Sequence, residues 1–171
     1  MFCTILHNLQ SPTNVGTIVR SHVAFGGNEV VFVGHDRPWR FKKSTQAFSR
    51  RLERLCDITY LKSDDDLFDW CNSHHYSPIA IEIKEDATPL ADFCFPEKPA
   101  LIVGHEGTGL PYSLLQRCTA TAFIPQFGDV ACLNVATSAA IAMYEFRRTD
   151  NAYRQISGSN FWVPADRRVG T

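Results

Sequence analysis

Short apolar segments with strand character alternate with segments of helical spacing along most of this 171-residue chain. The strand-like segments are rich in β-branched and aromatic residues, whereas the segments between them repeat apolar residues every three or four positions. Predicted strands cover residues 2–6, 29–33, 58–61, 79–83, 100–103 and 122–124. Predicted helices cover residues 14–25, 43–55, 64–73, 110–117 and 134–148. This alternation predicts an α/β fold with a mostly parallel sheet and helices on both faces.

The length of the chain fits one domain with a sizeable core, and a hydrophobic content of 44% is typical of a globular protein. We predict a single domain over residues 1–149 and a tail over residues 150–171 that packs on the domain or in a dimer contact. The first residues lack the features of a signal peptide, and no apolar run reaches the length of a membrane span. The sequence therefore predicts a cytoplasmic protein without a membrane segment.

The six cysteines are scattered singly, without the close pairing that zinc sites and redox dithiols use. We interpret them as buried thiols in a reducing compartment. The adjacent residues His74 and His75 would point to different faces of a helix or strand, so they do not form a ligand pair. The sequence predicts no metal site.

A basic segment stands out because the net charge of the chain is only −1. Residues 37–54 contain seven basic side chains and one acidic one, with Trp39 and Phe41 between them. Basic residues with interleaved aromatics can hold phosphates and stack on bases. The alternative is a solvated helix face that serves solubility. The candidate RNA-binding residues are Arg40, Lys42, Lys43, Arg50 and Arg51.

Residues 102–111 run from an apolar strand into a loop with three glycines and one carboxylate, Glu106, and end at Pro111. Glycine lets a ligand approach the backbone closely, and proline suits the first turn of a helix. A loop at the carboxyl end of a strand is also where open α/β sheets hold ligands. The segment matches neither the phosphate-binding loop nor the dinucleotide fingerprint. An ordinary strand-to-helix turn is the alternative interpretation.

Polar residues stand out in two of the predicted helices. Asn14 lies near the start of the first helix, and Arg20 lies six residues further along in an apolar stretch. A guanidinium flanked by Val19 and Val23 suggests that Arg20 grips an anion bidentately. Asn134 lies where the last helix begins. Because asparagine is a favoured N-cap residue, capping alone is the alternative for both Asn14 and Asn134.

Taken together, these segments resemble the SpoU or TrmH-like branch of the SPOUT RNA methyltransferases in a minimal, single-domain form. The resemblance covers roughly residues 2–148, and its motifs occur in the family's order and spacing. The motifs are Asn14-x-Gly16-x-x-x-Arg20 followed by Ala24-Phe25-Gly26, Gly104-x-Glu106-Gly107-x-Gly109-Leu110, and Ile124-Pro125 followed by Leu133-Asn134-Val135.

The resemblance implies a C-terminal deep trefoil knot, a homodimer, and transfer of a methyl group from S-adenosylmethionine (AdoMet) to a ribose 2′-hydroxyl of RNA. It implies that the cofactor lies in the knot, bound mainly by backbone groups. The residues carried over for cofactor binding are Ile81, Gly104, Gly109, Ile124, Cys132 and Leu133. Those carried over for catalysis or substrate positioning are Asn14, Arg20, Glu106 and Asn134.

The resemblance also suggests individual roles for these polar residues. A free guanidinium hardly ever loses its proton, so we expect Arg20 to orient the hydroxyl and an adjacent phosphate rather than to act as the base. Glu106 would hold Arg20 or a ligand, within one chain or across a dimer. Asn134 would hold the motif loops in place.

The chain departs from the family pattern in places. Cys132 stands where relatives commonly have serine, which weakens a side-chain contact but leaves a backbone contact intact. Residues 38–44 replace a segment that is rich in glycine and alanine in many relatives. The first motif begins almost at Met1, so we expect the catalytic domain itself to bind RNA, with tRNA favoured over rRNA. The alternatives are a non-catalytic RNA-binding protein that retains the fold and a small-molecule enzyme that binds a nucleotide at residues 104–109.

Overall fold

Seven strands and five α-helices are present in the computed structural model, which describes residues 1–35 and 38–149. The strands are β1 (Cys3–His7), β2 (Glu29–Val33), β3 (Asp57–Leu61), β4 (Ser77–Ile81), β5 (Thr88–Pro89), β6 (Pro99–Val103) and β7 (Ala120–Phe123). The α-helices are α1 (Pro12–Ala24), α2 (Lys43–Ser49), α3 (Asp64–Ser73), α4 (Tyr112–Leu115) and α5 (Val135–Thr149). Short 3₁₀ turns cover Leu52–Leu55 and Leu90–Asp92.

The strands form one sheet in the order β3-β2-β1-β6-β4-β7-β5, and every pairing is parallel. From β1 the chain moves outward through β2 to β3, whereas the later strands fill the other half of the sheet. The loops that leave β1 and β6, which are neighbours, therefore turn in opposite directions. In open α/β sheets, a ligand site forms at the carboxyl ends of the strands where the order reverses in this way.

Alternate residues of the central strands pack into separate cores on the two faces of the sheet. In β1, for example, Leu6 belongs to a core with α1 and α5, whereas Cys3 and Ile5 belong to a core with α3 and α4. Each core uses the fully buried strand residues that point toward it. The predicted α/β class, with a parallel sheet and helices on both faces, is confirmed.

The predicted strand 29–33 and helix 64–73 have the bounds found in the structure. The predicted helix 43–55 is wrong in its second half, because the chain breaks at Arg50 and Arg51, which both have left-handed backbone angles (φ 53° and 61°). Ser49 Oγ donates a 2.6 Å hydrogen bond to the buried Glu53 carboxylate and accepts one from the Arg51 amide. These contacts stabilise the turn in place of a continuous helix.

The cysteine prediction is only partly correct. Cys3 and Cys71 are buried and Cys56 and Cys118 half-buried, but Cys94 and Cys132 are exposed. The exposed pair lie in irregular segments, which do not bury both sides of the chain. The predicted tail, residues 150–171, lies outside the described residues. In the part of the chain that is described, no helix is long and apolar enough to cross a membrane.

Candidate active site

The Glu106 carboxylate connects the loop after β6 to the start of α1. Its Oε2 accepts a hydrogen bond from the Gln10 amide (3.1 Å), and its Oε1 accepts from the Ser11 amide (2.9 Å) and from Asn14 Nδ2 (3.1 Å). Backbone N–H groups at a helix start point toward a negative charge and favour it. Glu106 therefore holds the two loops together at the point where the strand order reverses.

Asn14 is the central residue of this network. Ser11, not Asn14, is the N-cap of α1, since the Ser11 side chain accepts a hydrogen bond from the Asn14 amide. The capping interpretation of Asn14 is therefore wrong, and its side chain is used elsewhere. While Nδ2 donates to Glu106, Oδ1 accepts a 3.1 Å hydrogen bond from Asn134 Nδ2. Asn14 itself is only 8% exposed, whereas its partners Glu106 and Asn134 are exposed.

Asn134 both caps a helix and completes the network. Its Oδ1 accepts hydrogen bonds from the Ala136 and Thr137 amides (2.9 and 3.4 Å) at the start of α5. This capping orients the amide so that Nδ2 points to Asn14. Glu106, Asn14 and Asn134, from three separate motifs, are thus joined by one chain of hydrogen bonds.

The network lowers the pKa of Glu106. Partial burial raises the pKa of this carboxyl, but hydrogen bonds from the Asn14 side chain and from the Ser11 and Gln10 amides outweigh burial, so the pKa lies below its ordinary value. The charged form is the one that accepts these bonds. Glu106 is accordingly suited to hold donors in place.

Arg20 lies on α1, six residues after Asn14, and its side chain is exposed. The predicted contact between Arg20 and Glu106 is not present within one chain, because the described donors to the Glu106 carboxylate are Gln10, Ser11 and Asn14. No described residue forms a hydrogen bond or ion pair with the Arg20 side chain. The guanidinium is therefore accessible to an anion from outside the chain.

A cavity of about 530 Å³ opens at the carboxyl ends of β4, β6 and β7. Glu106 forms part of its wall. The residues predicted to bind the cofactor all line this one cavity: Ile81, Gly104, Gly109, Ile124, Cys132 and Leu133. Residues that are far apart in the sequence thus enclose one space, because their strands end at the same edge of the sheet.

The glycines of the loop allow it to close on itself. A Cβ atom at Gly104 would lie 2.4 Å from the Gly109 carbonyl carbon and 2.6 Å from the Leu110 nitrogen. Gly109 has a φ of +65°, which a residue with a side chain rarely adopts. Close approach by a ligand was the expected reason for these glycines. In the structure, Gly104 and Gly109 are needed for the contacts of the loop with itself and with Glu82.

Glu82 was not identified from the sequence. It follows β4, lines the cavity and accepts a 3.0 Å hydrogen bond from the Leu110 amide. The predicted strand 79–83 included this residue, although a carboxylate in an otherwise apolar strand is itself a signal of a functional position. The amides of Gln10 and Ser11 left no signal in the sequence, because backbone groups carry none.

The basic segment lies on the outside of the protein. Its candidate residues are all exposed: Arg40, Lys42, Lys43, Arg50 and Arg51. Arg37 lies outside the described residues. A Cβ atom at Gly16 would lie 2.5 Å from the Thr45 carbonyl oxygen, so α2 packs directly on the helix that carries Asn14 and Arg20.

The two aromatic residues between the basic side chains, Trp39 and Phe41, are half-buried. Trp39 stacks on Phe32 with ring centroids 5.9 Å apart, and Phe41 meets the same ring edge-on. Both side chains are packed against the core on the α1 and α5 face. Trp39 and Phe41 therefore help to stabilise the fold through these ring contacts.

The sequence profile of the SpoU rRNA Methylase family matches residues 1–144. A 23S rRNA (uridine(2479)-2′-O)-methyltransferase from Streptomyces viridochromogenes is 27% identical over 158 residues. The alignment covers 90% of this chain and 53% of that relative, so the chain spans about half of the relative's length.

Solved structures with the same fold include an AdoMet-bound rRNA methyltransferase from Sinorhizobium meliloti. It is 25% identical with a TM-score of 0.80, over 86% of this chain and 56% of that one. A structure described as giving insights into 2-OH methylation of C/U34 on tRNA is 24% identical with a TM-score of 0.77, over 88% of this chain and 97% of that one. The second likeness concerns the fold alone.

Proposed function

The chain belongs to the SpoU rRNA Methylase family, and on that premise we propose that it transfers a methyl group from AdoMet to a ribose 2′-hydroxyl of RNA. The observation that carries the proposal is the meeting of three motifs at one cavity. The six residues expected to bind the cofactor line that cavity, and the hydrogen-bonded chain of Glu106, Asn14 and Asn134 borders it.

The cavity fits a cofactor of this kind. Its volume of about 530 Å³ lies within the usual range for ligand pockets, and its lining combines apolar side chains with loop backbone. AdoMet, when bound, supplies a methyl group that its sulfonium already activates. The contribution of this chain is to bind the cofactor through Gly104, Gly109, Cys132 and Leu133 and to exclude water from the reacting groups.

We assign Arg20 to the RNA rather than to the cofactor. Its guanidinium is exposed, and the planar group can donate two hydrogen bonds in a fixed geometry. In this assignment it orients the ribose hydroxyl and an adjacent phosphate, and that phosphate accepts the proton. The hydrogen bonds among Asn14, Glu106 and Asn134 fix the position of α1 relative to the cavity loops. Arg20 and the cofactor are therefore held at a set separation.

We propose tRNA as the substrate, with rRNA as the second candidate. The exposed basic residues of α2 and the following turn would contact its phosphates, since α2 packs on the helix that carries Arg20. We further propose a C-terminal trefoil knot around the cofactor cavity, a homodimer, and a cytoplasmic location. The knot and the dimer follow from the family pattern, in which both accompany the motifs found in this chain.

The proposal is tested by incubating the protein with radiolabelled AdoMet and separated pools of tRNA and rRNA, followed by digestion to nucleosides. We expect label in ribose-methylated nucleosides, predominantly from tRNA. Label from rRNA alone would show that the substrate is rRNA and not tRNA. RNA binding without transfer would instead indicate a non-catalytic protein with this fold.

A further inference from the structure

Glu82 forms a side-chain contact between β4 and the glycine loop in the wall of the cavity. Its Oε2 accepts the 3.0 Å hydrogen bond from the Leu110 amide, and its Oε1 accepts a 2.9 Å bond from the Ile83 amide. One carboxylate therefore joins the end of β4 to the end of the loop that follows β6. The side chain is half-buried, so water competes only partly for these bonds.

Gly109, the residue before Leu110, leaves room for this carboxylate. A Cβ atom at Gly109 would lie 2.5 Å from Glu82 Oε2. The Gly109 amide also bonds to the His105 carbonyl (2.9 Å), which closes the loop. The position of the loop thus depends on a glycine that leaves room for Glu82 and on an acid that occupies this room.

Glu82 also carries a negative charge at the cavity. Among the described residues that line it, the other carboxylate is Glu106, which is already bonded to Gln10, Ser11 and Asn14. Lys84 lies on the same wall, but its Nζ is 3.6 Å from Asp86 Oδ2, so a second carboxylate offsets its charge. A carboxylate in a partly buried wall acts on a ligand charge more strongly than it would in water.

We propose that Glu82 is a positioning residue of the cofactor site that holds the loop through the Leu110 amide and whose charge favours the cationic cofactor over its neutral product. AdoMet carries one more positive charge than S-adenosylhomocysteine, because methyl transfer converts the sulfonium into a thioether. A carboxylate at the wall therefore favours exchange of product for new cofactor. This inference rests on the proposed function.

Two substitutions separate the two parts of the proposal. Glu82→Gln removes the charge but keeps a side-chain oxygen that can still accept the bond from the Leu110 amide. We expect AdoMet to bind about tenfold more weakly, with a smaller loss for S-adenosylhomocysteine. Glu82→Asp keeps the charge but shortens the reach to Leu110, so both ligands should weaken by similar factors. The matched control is Glu85→Gln, an exposed acid three residues further on that does not line the cavity.

Calorimetric titration of the full chain with each ligand measures how much each variant weakens AdoMet and S-adenosylhomocysteine. Steady-state kinetics adds an independent readout. In Glu82→Gln, KM for AdoMet should rise while KM for RNA and kcat at saturating cofactor stay near the values of the Glu85→Gln control. Unchanged AdoMet affinity in both Glu82 variants would overturn the inference. Equal losses for the two ligands in Glu82→Gln would overturn its electrostatic part. A wild-type protein that binds no AdoMet would overturn the proposed function itself.

Discussion

At the scale of single residues, Asn14 shows why the site uses an amide. Its NH₂ group donates to Glu106 and its oxygen accepts from Asn134, so both ends of one side chain are used. An aspartate has the same shape but lacks the donor, and it would place a second carboxylate about 3 Å from Glu106. The structure therefore explains the residue type at position 14 in terms of its two partners.

Arg20 is the residue whose substitution should separate chemistry from binding. Arg20→Lys keeps the positive charge but loses the planar pair of donors, so we expect single-turnover methylation to slow by about 100-fold or more. AdoMet affinity should stay unchanged, because Arg20 does not line the cavity. Arg117→Lys, a conservative change at an exposed ion pair with Asp65, is the control. A near-normal single-turnover rate for Arg20→Lys would refute its assignment.

His22 predicts a pH dependence of stability that is independent of the site. It is fully buried and bonded to Thr4 Oγ1, and burial, helped by the positive charge of Arg147, lowers its pKa from 6.5 to about 4. The unfolded chain therefore binds this proton at a higher pH than the folded one. The free energy of unfolding should be fully maintained above pH 6.5 and fall by roughly 3 kcal/mol as the pH drops to about 4.

Urea unfolding across this pH range measures the effect, and His22→Phe isolates it from the carboxyl groups that titrate at lower pH. The variant should be less stable throughout, because Thr4 loses its partner, but its stability should depend less on pH. Equal slopes for the two proteins would contradict the explanation.

The residue types of the site were predictable from the sequence, but most of their partners were not. Asn134 was correctly considered as an N-cap, because capping depends on local sequence. Glu106 was expected to hold Arg20 or a ligand, and its bonds to amides 95 and 96 positions away in the chain were not foreseen. Such contacts depend on strand order, which the pattern of elements alone does not specify.

At the scale of elements, α1 and α2 act as one unit. Gly16 lets the backbone of α2 approach, so the basic residues after Lys42 are fixed relative to Asn14 and Arg20. Periodicity predicted most elements well but missed two local features. The two-residue strand β5 was missed because it contains no repeat, and the break at Arg50 was missed because it depends on Glu53 and Ser49.

Removing two charges from α2 and its start tests its proposed role. Lys42 and Lys43 are both exposed, and we expect Lys42→Ala with Lys43→Ala to weaken RNA binding. If each lysine neutralises one phosphate, the plot of log binding constant against log salt concentration should become shallower by about 1 to 2 in slope. Lys98→Ala, next to the amino end of β6 and thus away from the cavity edge, is the control. An unchanged slope in titrations at several salt concentrations would exclude this surface.

At the scale of the whole molecule, one chain leaves parts of the proposed site open. Arg20 contacts no described partner through hydrogen bonds or ion pairs, and Phe127 and Val130 on the segment after β7 are exposed. We predict that light scattering after size-exclusion chromatography will give the mass of two chains at micromolar concentration. A monomer with full activity would contradict the proposed dimer. The sequence predicted one domain over residues 1–149, and the predicted tail, residues 150–171, lies outside the described residues.

The position of the transferred methyl group tests the central claim most directly. A methyl on the ribose 2′-oxygen blocks alkaline cleavage of the neighbouring phosphodiester, whereas a methyl on a base does not. Labelled RNA from a reaction with the wild-type protein should therefore yield its label in an alkali-resistant dinucleotide, and the Arg20→Lys protein should give little of it. Label recovered only in single nucleotides, as a methylated base, would contradict the assignment of ribose 2′-O-methylation.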